Sequence, residues 1–116
     1  MTSNTYHFED KVVIVTGGGT GIGRAVTRAF LDNGATVVAA GRRQEPLDET
    51  VAGYERGHTH ITDVSNHEQV AELVRSVVDR FGHLDVVVSN AGIFEGGEIE
   101  NVSDDVWHKL FSVNLD

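Results

Sequence analysis

The chain contains no cysteine, which removes disulfides, thiolate nucleophiles and Cys-ligated zinc at once. A cysteine-free chain suits a reducing compartment, and a cytoplasmic location is the expectation. Cations are also scarce: 9 Lys and Arg against 18 Asp and Glu give a net charge of −9, with a pI of about 4.9. That sign is wrong for neutralising phosphate backbones or settling on anionic lipid, so neither nucleic acid nor membrane is expected as a partner. No apolar run approaches the ~18 residues of a membrane span. The opening stretch MTSNTYHFEDK is polar, without the apolar core of a secretory signal. Residues 1–10 are read as a disordered lead-in and 11–116 as one domain, with no repeat, low-complexity tract or linker. A chain of 116 residues is long enough to bury a real core.

Inside that domain, short apolar runs alternate with helical patterns. Val12 to Val15 is a continuous β-branched run, the mark of a strand buried on both faces of a parallel sheet. Ile22, Ala25, Val26, Ala29 and Phe30 recur at helical spacing, and Gly34 ends that helix. A second strand is predicted over residues 36–40. A short helix follows, with Pro46 at its first position and Gly53 as its stop. Residues 58–61 form a third strand. Ser65 to Glu68 reads as a capping box opening a helix with Val70, Leu73, Val74, Val77, Val78 and Phe81 on one stripe, closed by Gly82. Residues 84–89 are the fourth strand, residues 94–97 a glycine-bearing loop, and Ser103, Asp104 and Asp105 start a last helix. Strands separated by helices imply right-handed crossovers. The expected fold class is therefore α/β: a Rossmann-type, doubly wound parallel sheet in three αβα layers, with about four strands present.

The first strand runs into TGGGTGIG, in which five of eight residues, 16–23, are glycine. The dinucleotide fingerprint G-x-G-x-x-G fits no register here, because Ile22 stands where glycine is needed after Gly17 and Gly19. The pattern that fits is G-x-x-x-G-x-G, with Gly17, Gly21 and Gly23. Its physical task is the same: bare backbone approaches a diphosphate while helix amides and their dipole face the negative charge. A turn that merely needs positive φ accounts for one or two glycines and leaves the others to be explained. A P-loop is excluded, since no Gly-Lys-Ser/Thr follows.

These residues resemble the short-chain dehydrogenase/reductase family. Its T-G-x-x-x-G-I-G element is matched by Thr16 to Gly23, its N-A-G by Asn90-Ala91-Gly92, its adenine-side aspartate by Asp63-Val64, and a later Asn-Leu by Asn114-Leu115. Ser89 departs from the pattern, where the family more often has another asparagine. The resemblance implies that Gly17, Gly19, Thr20, Gly21 and Ile22 line the diphosphate and ribose, and that Asp63 and Val64 hold the adenine. Asn90, Ala91 and Gly92 would pass beside the nicotinamide ribose with Val113 nearby. As plain structure, Asp63 is a loop acid or helix-end charge, and Asn90 a brace at a strand end.

The residues after the second strand bear on which nicotinamide cofactor fits. About 20 positions beyond the glycine turn, an acidic residue normally binds the ribose 2′-hydroxyl; here stand Gly41, Arg42 and Arg43. A guanidinium clamps a 2′-phosphate with two parallel hydrogen bonds. At roughly 1.5–3 kcal/mol for such bonds, Arg42 would favour NADP over NAD by about one to two orders of magnitude. The alternative is that both arginines are solvated or paired with Glu45. NADP is the expected cofactor, ahead of NAD.

Catalysis is thinly represented. The family uses Ser, Tyr and Lys, the last two as Tyr-x-x-x-Lys, with an Asn completing a proton relay. Of these the resemblance assigns only Asn114. Tyr6 and Tyr54 are followed four positions on by Asp10 and His58, so the remaining residues are expected beyond Asp116. His58 and His60 share a strand face without a third ligand, and no metal site is expected. Trp107, Leu110 and Phe111 are read as lining a substrate pocket or, ahead of that, a subunit contact, since the helix carrying them in this family commonly packs against another subunit; the resemblance implies a homodimer or homotetramer in the full-length form. The expected activity is hydride transfer between NADP and an alcohol or ketone substrate. The alternatives are a non-catalytic nucleotide-binding regulatory or interaction module, and epimerase or lyase chemistry on the same fold.

Overall fold

The computed structural model describes residues 8–19 and 21–89, and the backbone of 92–95. β1 (Val12–Thr16) leads into α1 (Gly21–Asp32), β2 (Thr36–Gly41), α2 (Gln44–Val51), β3 (Gly57–Ile61), α3 (His67–Phe81), β4 (Val86–Ser89) and β5 (Gly92–Glu95). The strand order is β3-β2-β1-β4-β5. β1 pairs in parallel with β2, Val12 opposite Thr36, and with β4, Val13 opposite Val86. The chain thus winds outward from β1 through β2 and β3, then returns to the other side of β1, which is the doubly wound reversal anticipated from the alternation.

All five residues of β1 are buried, and successive side chains serve opposite faces. Val12 and Ile14 join Val38, Ala40, Val87 and the α3 stripe of Val70, Leu73 and Val77 in one core. Val13 and Val15 join Leu31, Val37 and Val86 in the other, beneath α1. α1 and α2 touch each other, so two helices cover one face and α3 the other.

Several local expectations are corrected. α1 turns Thr27 and Leu31 fully inward, whereas Ala25 and Ala29 face outward and Ile22 is 83% exposed. Thr27 packs where a Cβ on Gly18 would lie 3.3 Å from its hydroxyl, so that glycine leaves room for it. On α3, Val78 lies off the buried stripe. Pro46 is the third residue of α2, not the first, a position whose amide still lacks an intrahelical acceptor. The α3 cap is Asn66, whose side chain accepts from the Gln69 amide, in place of Ser65. Gly82 ends α3 as expected, at φ 89 with its amide on the Val78 carbonyl. Phe8, placed in the lead-in by sequence, packs edge-on against Phe30 at 5.3 Å, and its amide bonds to Asn33 O.

The largest departure is β5. It runs antiparallel to β4, with Ser89 opposite Gly92 and Val86 opposite Glu95, where the sequence predicted no fifth strand and a loop over residues 94–97. A chain reversal of two residues suffices for antiparallel pairing, whereas a parallel neighbour needs a long crossover.

Candidate functional site: a glycine-walled cleft at the ends of three strands

Each glycine of residues 17–23 has a definable reason. A Cβ on Gly23 would lie 1.9 Å from the Gly17 carbonyl oxygen, one on Gly18 2.8 Å from Ala39 Cβ, and one on Gly19 2.8 Å from Pro46 Cβ. These three are excluded by the protein's own atoms. Gly17 and Gly21 differ: both have positive φ, 70° and 41°, and a Cβ there would meet nothing within 4 Å. Contacts within the protein thus account for Gly18, Gly19 and Gly23, which the sequence left to a ligand's approach. Two of them border open space, and the others let β1, α1 and α2 converge.

That convergence is held by side chains that no motif singles out. The Thr50 hydroxyl, fully buried in α2, lies 2.9 Å from the carbonyl oxygens of Gly18 and Pro46. Arg24 donates from Nε to Thr50 Oγ1 at 3.2 Å and from a terminal nitrogen to Gly19 O at 3.2 Å and Glu49 Oε1 at 3.3 Å. Arg28 donates to the carbonyls of Thr50 and Glu49 in the last turn of α2, where a cation suits the helix dipole.

The turn forms one wall of a cleft of about 200 Å³ lined by Gly17, Gly19, Gly41, Arg42, Arg43, Pro46, Leu47, Thr62 and Val64. It lies beyond the carboxyl ends of β1, β2 and β3, where open α/β sheets bind ligands. Of the sequence candidates, Gly17, Gly19, Arg42, Arg43 and Val64 are brought together there. Gly41, Pro46, Leu47 and Thr62 join them without a motif to announce them. Leu47 was legible only as one apolar residue in a weakly patterned helix.

Both arginines are exposed, and among the described residues neither forms a salt bridge. Arg42 is close enough to act on Asp63. The Asp63 carboxylate accepts from Ser65 Oγ at 2.6 Å and Ser65 N at 2.9 Å, and these bonds, aided by the Arg42 charge, hold its pKa below the usual range. Asp63 is therefore an ionised acid that shapes the turn before α3. Its amide donates to Gln69 Oε1. Gly21 and Ile22 open α1, whose first amides have no intrahelical acceptors. Gly92 begins β5. Thr20, Asn90, Ala91, Val113 and Asn114 lie outside the described residues, as do Trp107, Leu110 and Phe111.

Tyr54 is unsuited to proton transfer. Its hydroxyl donates to Asp32 Oδ1 at 2.8 Å, and that bond raises its pKa, away from working pH. His58 stacks near Phe81, with ring centroids 5.1 Å apart, while His60 Nδ1 lies 2.8 Å from Thr62 Oγ1. The two histidines thus have separate partners.

A sequence profile of the family described as short chain dehydrogenase matches residues 11–116. The chain belongs to that family. It is 37% identical over 112 residues to the meso-2,3-butanediol dehydrogenase of Serratia marcescens, covering 94% of this chain and 44% of the relative. A short chain dehydrogenase structure from Bacillus anthracis superposes with a TM-score of 0.68 at 32% identity, covering 91% of this chain and 44% of that one. A 3-ketoacyl-(acyl-carrier-protein) reductase from Brucella melitensis, complexed with NADH, gives a TM-score of 0.64 at 26% identity over 68% of this chain and 33% of that one. The chain spans less than half the length of the curated relatives it matches, 41% to 47%. It shares with that family a Rossmann-type nucleotide-binding fold. Among its described residues no helix is long and apolar enough to cross a membrane.

Proposed function

We propose that these residues form the cofactor-binding half of an NADP-dependent oxidoreductase that acts on an alcohol or carbonyl substrate. The observation that carries the reading is the pairing of two features in one cleft: open space before Gly17 and two exposed arginines, Arg42 and Arg43, that line the same cleft. The residues fit the group. Gly17, Gly19 and the first amides of α1 would hold the diphosphate, Arg42 and Arg43 the 2′-phosphate, and Val64 with Asp63 the adenine. Once bound, the nicotinamide ring would supply hydride exchange with the substrate carbon.

This chain's own part in that chemistry is to bind and orient. Asn114 is proposed to help relay the substrate proton, and the Ser, Tyr and Lys of the family pattern are proposed to come from the remainder of the full-length protein. That enzyme is proposed to be a cytoplasmic homodimer or homotetramer. Residues 1–116 alone are expected to bind cofactor without turnover.

The test is a titration following NADPH and NADH fluorescence with the wild-type chain and Arg42→Asp. The wild type is expected to bind NADPH roughly ten- to a hundredfold more tightly than NADH, and the variant to lose most of that preference. Equal affinities in the wild type would refute the arginine clamp.

A further inference from the structure

We propose that Thr50 and Arg24 are positioning residues: together they set the separation between the glycine turn and the arginine pair, and so determine how well the cleft holds a ligand that spans both. The inference rests on the dinucleotide reading above and goes beyond it, since neither residue lines the cleft.

The cleft has two walls carried by different elements. The turn belongs to the β1–α1 junction, while Arg43 is the N-cap of α2 and Arg42 precedes it. What joins them is a polar knot behind the cleft. A helical threonine that bonds only to the carbonyl four residues back would be unremarked, and Thr50 does reach Pro46 O. It also meets Gly18 O, a group 32 positions away, and accepts from Arg24. Its single proton can serve one carbonyl at a time, so the Arg24 N–H on its lone pair orients the hydroxyl. Arg24 then closes the loop by donating to Gly19 O.

Electrostatics makes the arrangement purposeful. A cation in the first turn of a helix opposes the helix dipole, and α1 has no acidic residue there. Arg24 is held in that place by Glu49 and by two groups of the knot. Pro46 packs against Gly19 so closely that no side chain fits between them, so the separation of α2 from the turn is set by direct contact as well as by the knot. Loosening the knot lets the two walls separate. A ligand touching only the arginine side does not sense that change, whereas one bridging to the glycines does.

The experiment compares NADPH, which spans both walls, with adenosine 2′-phosphate, which needs only the arginine side, in wild type, Thr50→Val, Thr50→Ser and Arg24→Met. Thr50→Val is expected to weaken NADPH roughly five- to tenfold, the equivalent of one lost hydrogen bond. Adenosine 2′-phosphate binding should hold at its wild-type value, and Thr50→Ser should restore NADPH binding. If Thr50→Val fails to fold, Arg24→Met carries the same comparison, because that side chain is one-third exposed. Equal losses for the two ligands, or no loss for NADPH, would overturn the positioning role. A wild-type chain that binds adenosine 2′-phosphate but not NADPH would instead overturn the dinucleotide reading beneath it.

Discussion

Gly23 is the residue at which the turn tolerates least. Alanine there would place a carbon 1.9 Å from the Gly17 carbonyl oxygen, and backbone cannot move aside as a side chain can. Gly23→Ala is expected to cost about 3 kcal/mol or more in urea unfolding. Gly53→Ala, at φ 85 with no neighbour within 4 Å, should cost about 1–2 kcal/mol from conformation alone. Similar losses at the two sites would show that the contact is relieved at little cost. His58 supplies a pH dependence. Burial lowers its pKa below 6.5, and the Arg80 charge adds to this, so the unfolded chain binds more protons than the folded one just below that value. Stability is therefore full above about pH 6.5 and falls as pH drops through the folded value. Thermal unfolding between about pH 7.5 and 5 should show that decline, and His58→Gln should flatten it; an unchanged slope would assign the decline to other groups. The place of the arginine pair was legible in the sequence because its distance from the glycines is set by strand and helix lengths, whereas Asp63 and Val64 were reached only through the family resemblance. Thr50 and Arg24 were not. Their role depends on a contact between residues 32 apart, which no local pattern encodes.

At the level of helices and strands, the start of α3 separates two residues that sequence treats alike. Asn66 accepts from the Gln69 amide, while the Ser65 hydroxyl is engaged by Asp63. Asn66→Ala is expected to cost about 1 kcal/mol in stability, whereas Ser65→Ala should stay within about 0.5 kcal/mol. The reverse order, measured by denaturant unfolding, would restore Ser65 as the cap. The capping box was misread by one residue because Ser-Asn and Glu-Gln pairs each offer two registers. The choice is made by Asp63, which captures the serine first. β1 and the α3 stripe were legible for a simpler reason: a buried strand and a half-buried helix each impose their period on every residue. α1 was harder: Val26 and Phe30 of its stripe do pack against the core beside Leu31, but the fully buried Thr27 is a polar residue that hydropathy does not flag.

For the whole molecule, the doubly wound order followed from alternation alone, since crossover handedness leaves few other topologies. β5 did not, because Gly92–Glu95 is four residues long and carries no strong strand signal. Among the described residues, the fold has two core clusters on opposite faces of the sheet. β1 is common to both, with Val12 and Ile14 in one and Val13 and Val15 in the other. Its backbone is hydrogen-bonded on either side to β2 and β4. No local opening can uncover it while either helical layer stays in place. In deuterated buffer the amides of Val13 to Val15 should exchange last, at the rate of global unfolding, well behind those of β3 at the sheet margin. If β3 kept its protons as long as β1, the two layers would melt together from the outside, and the central strand would have no special part in keeping solvent out.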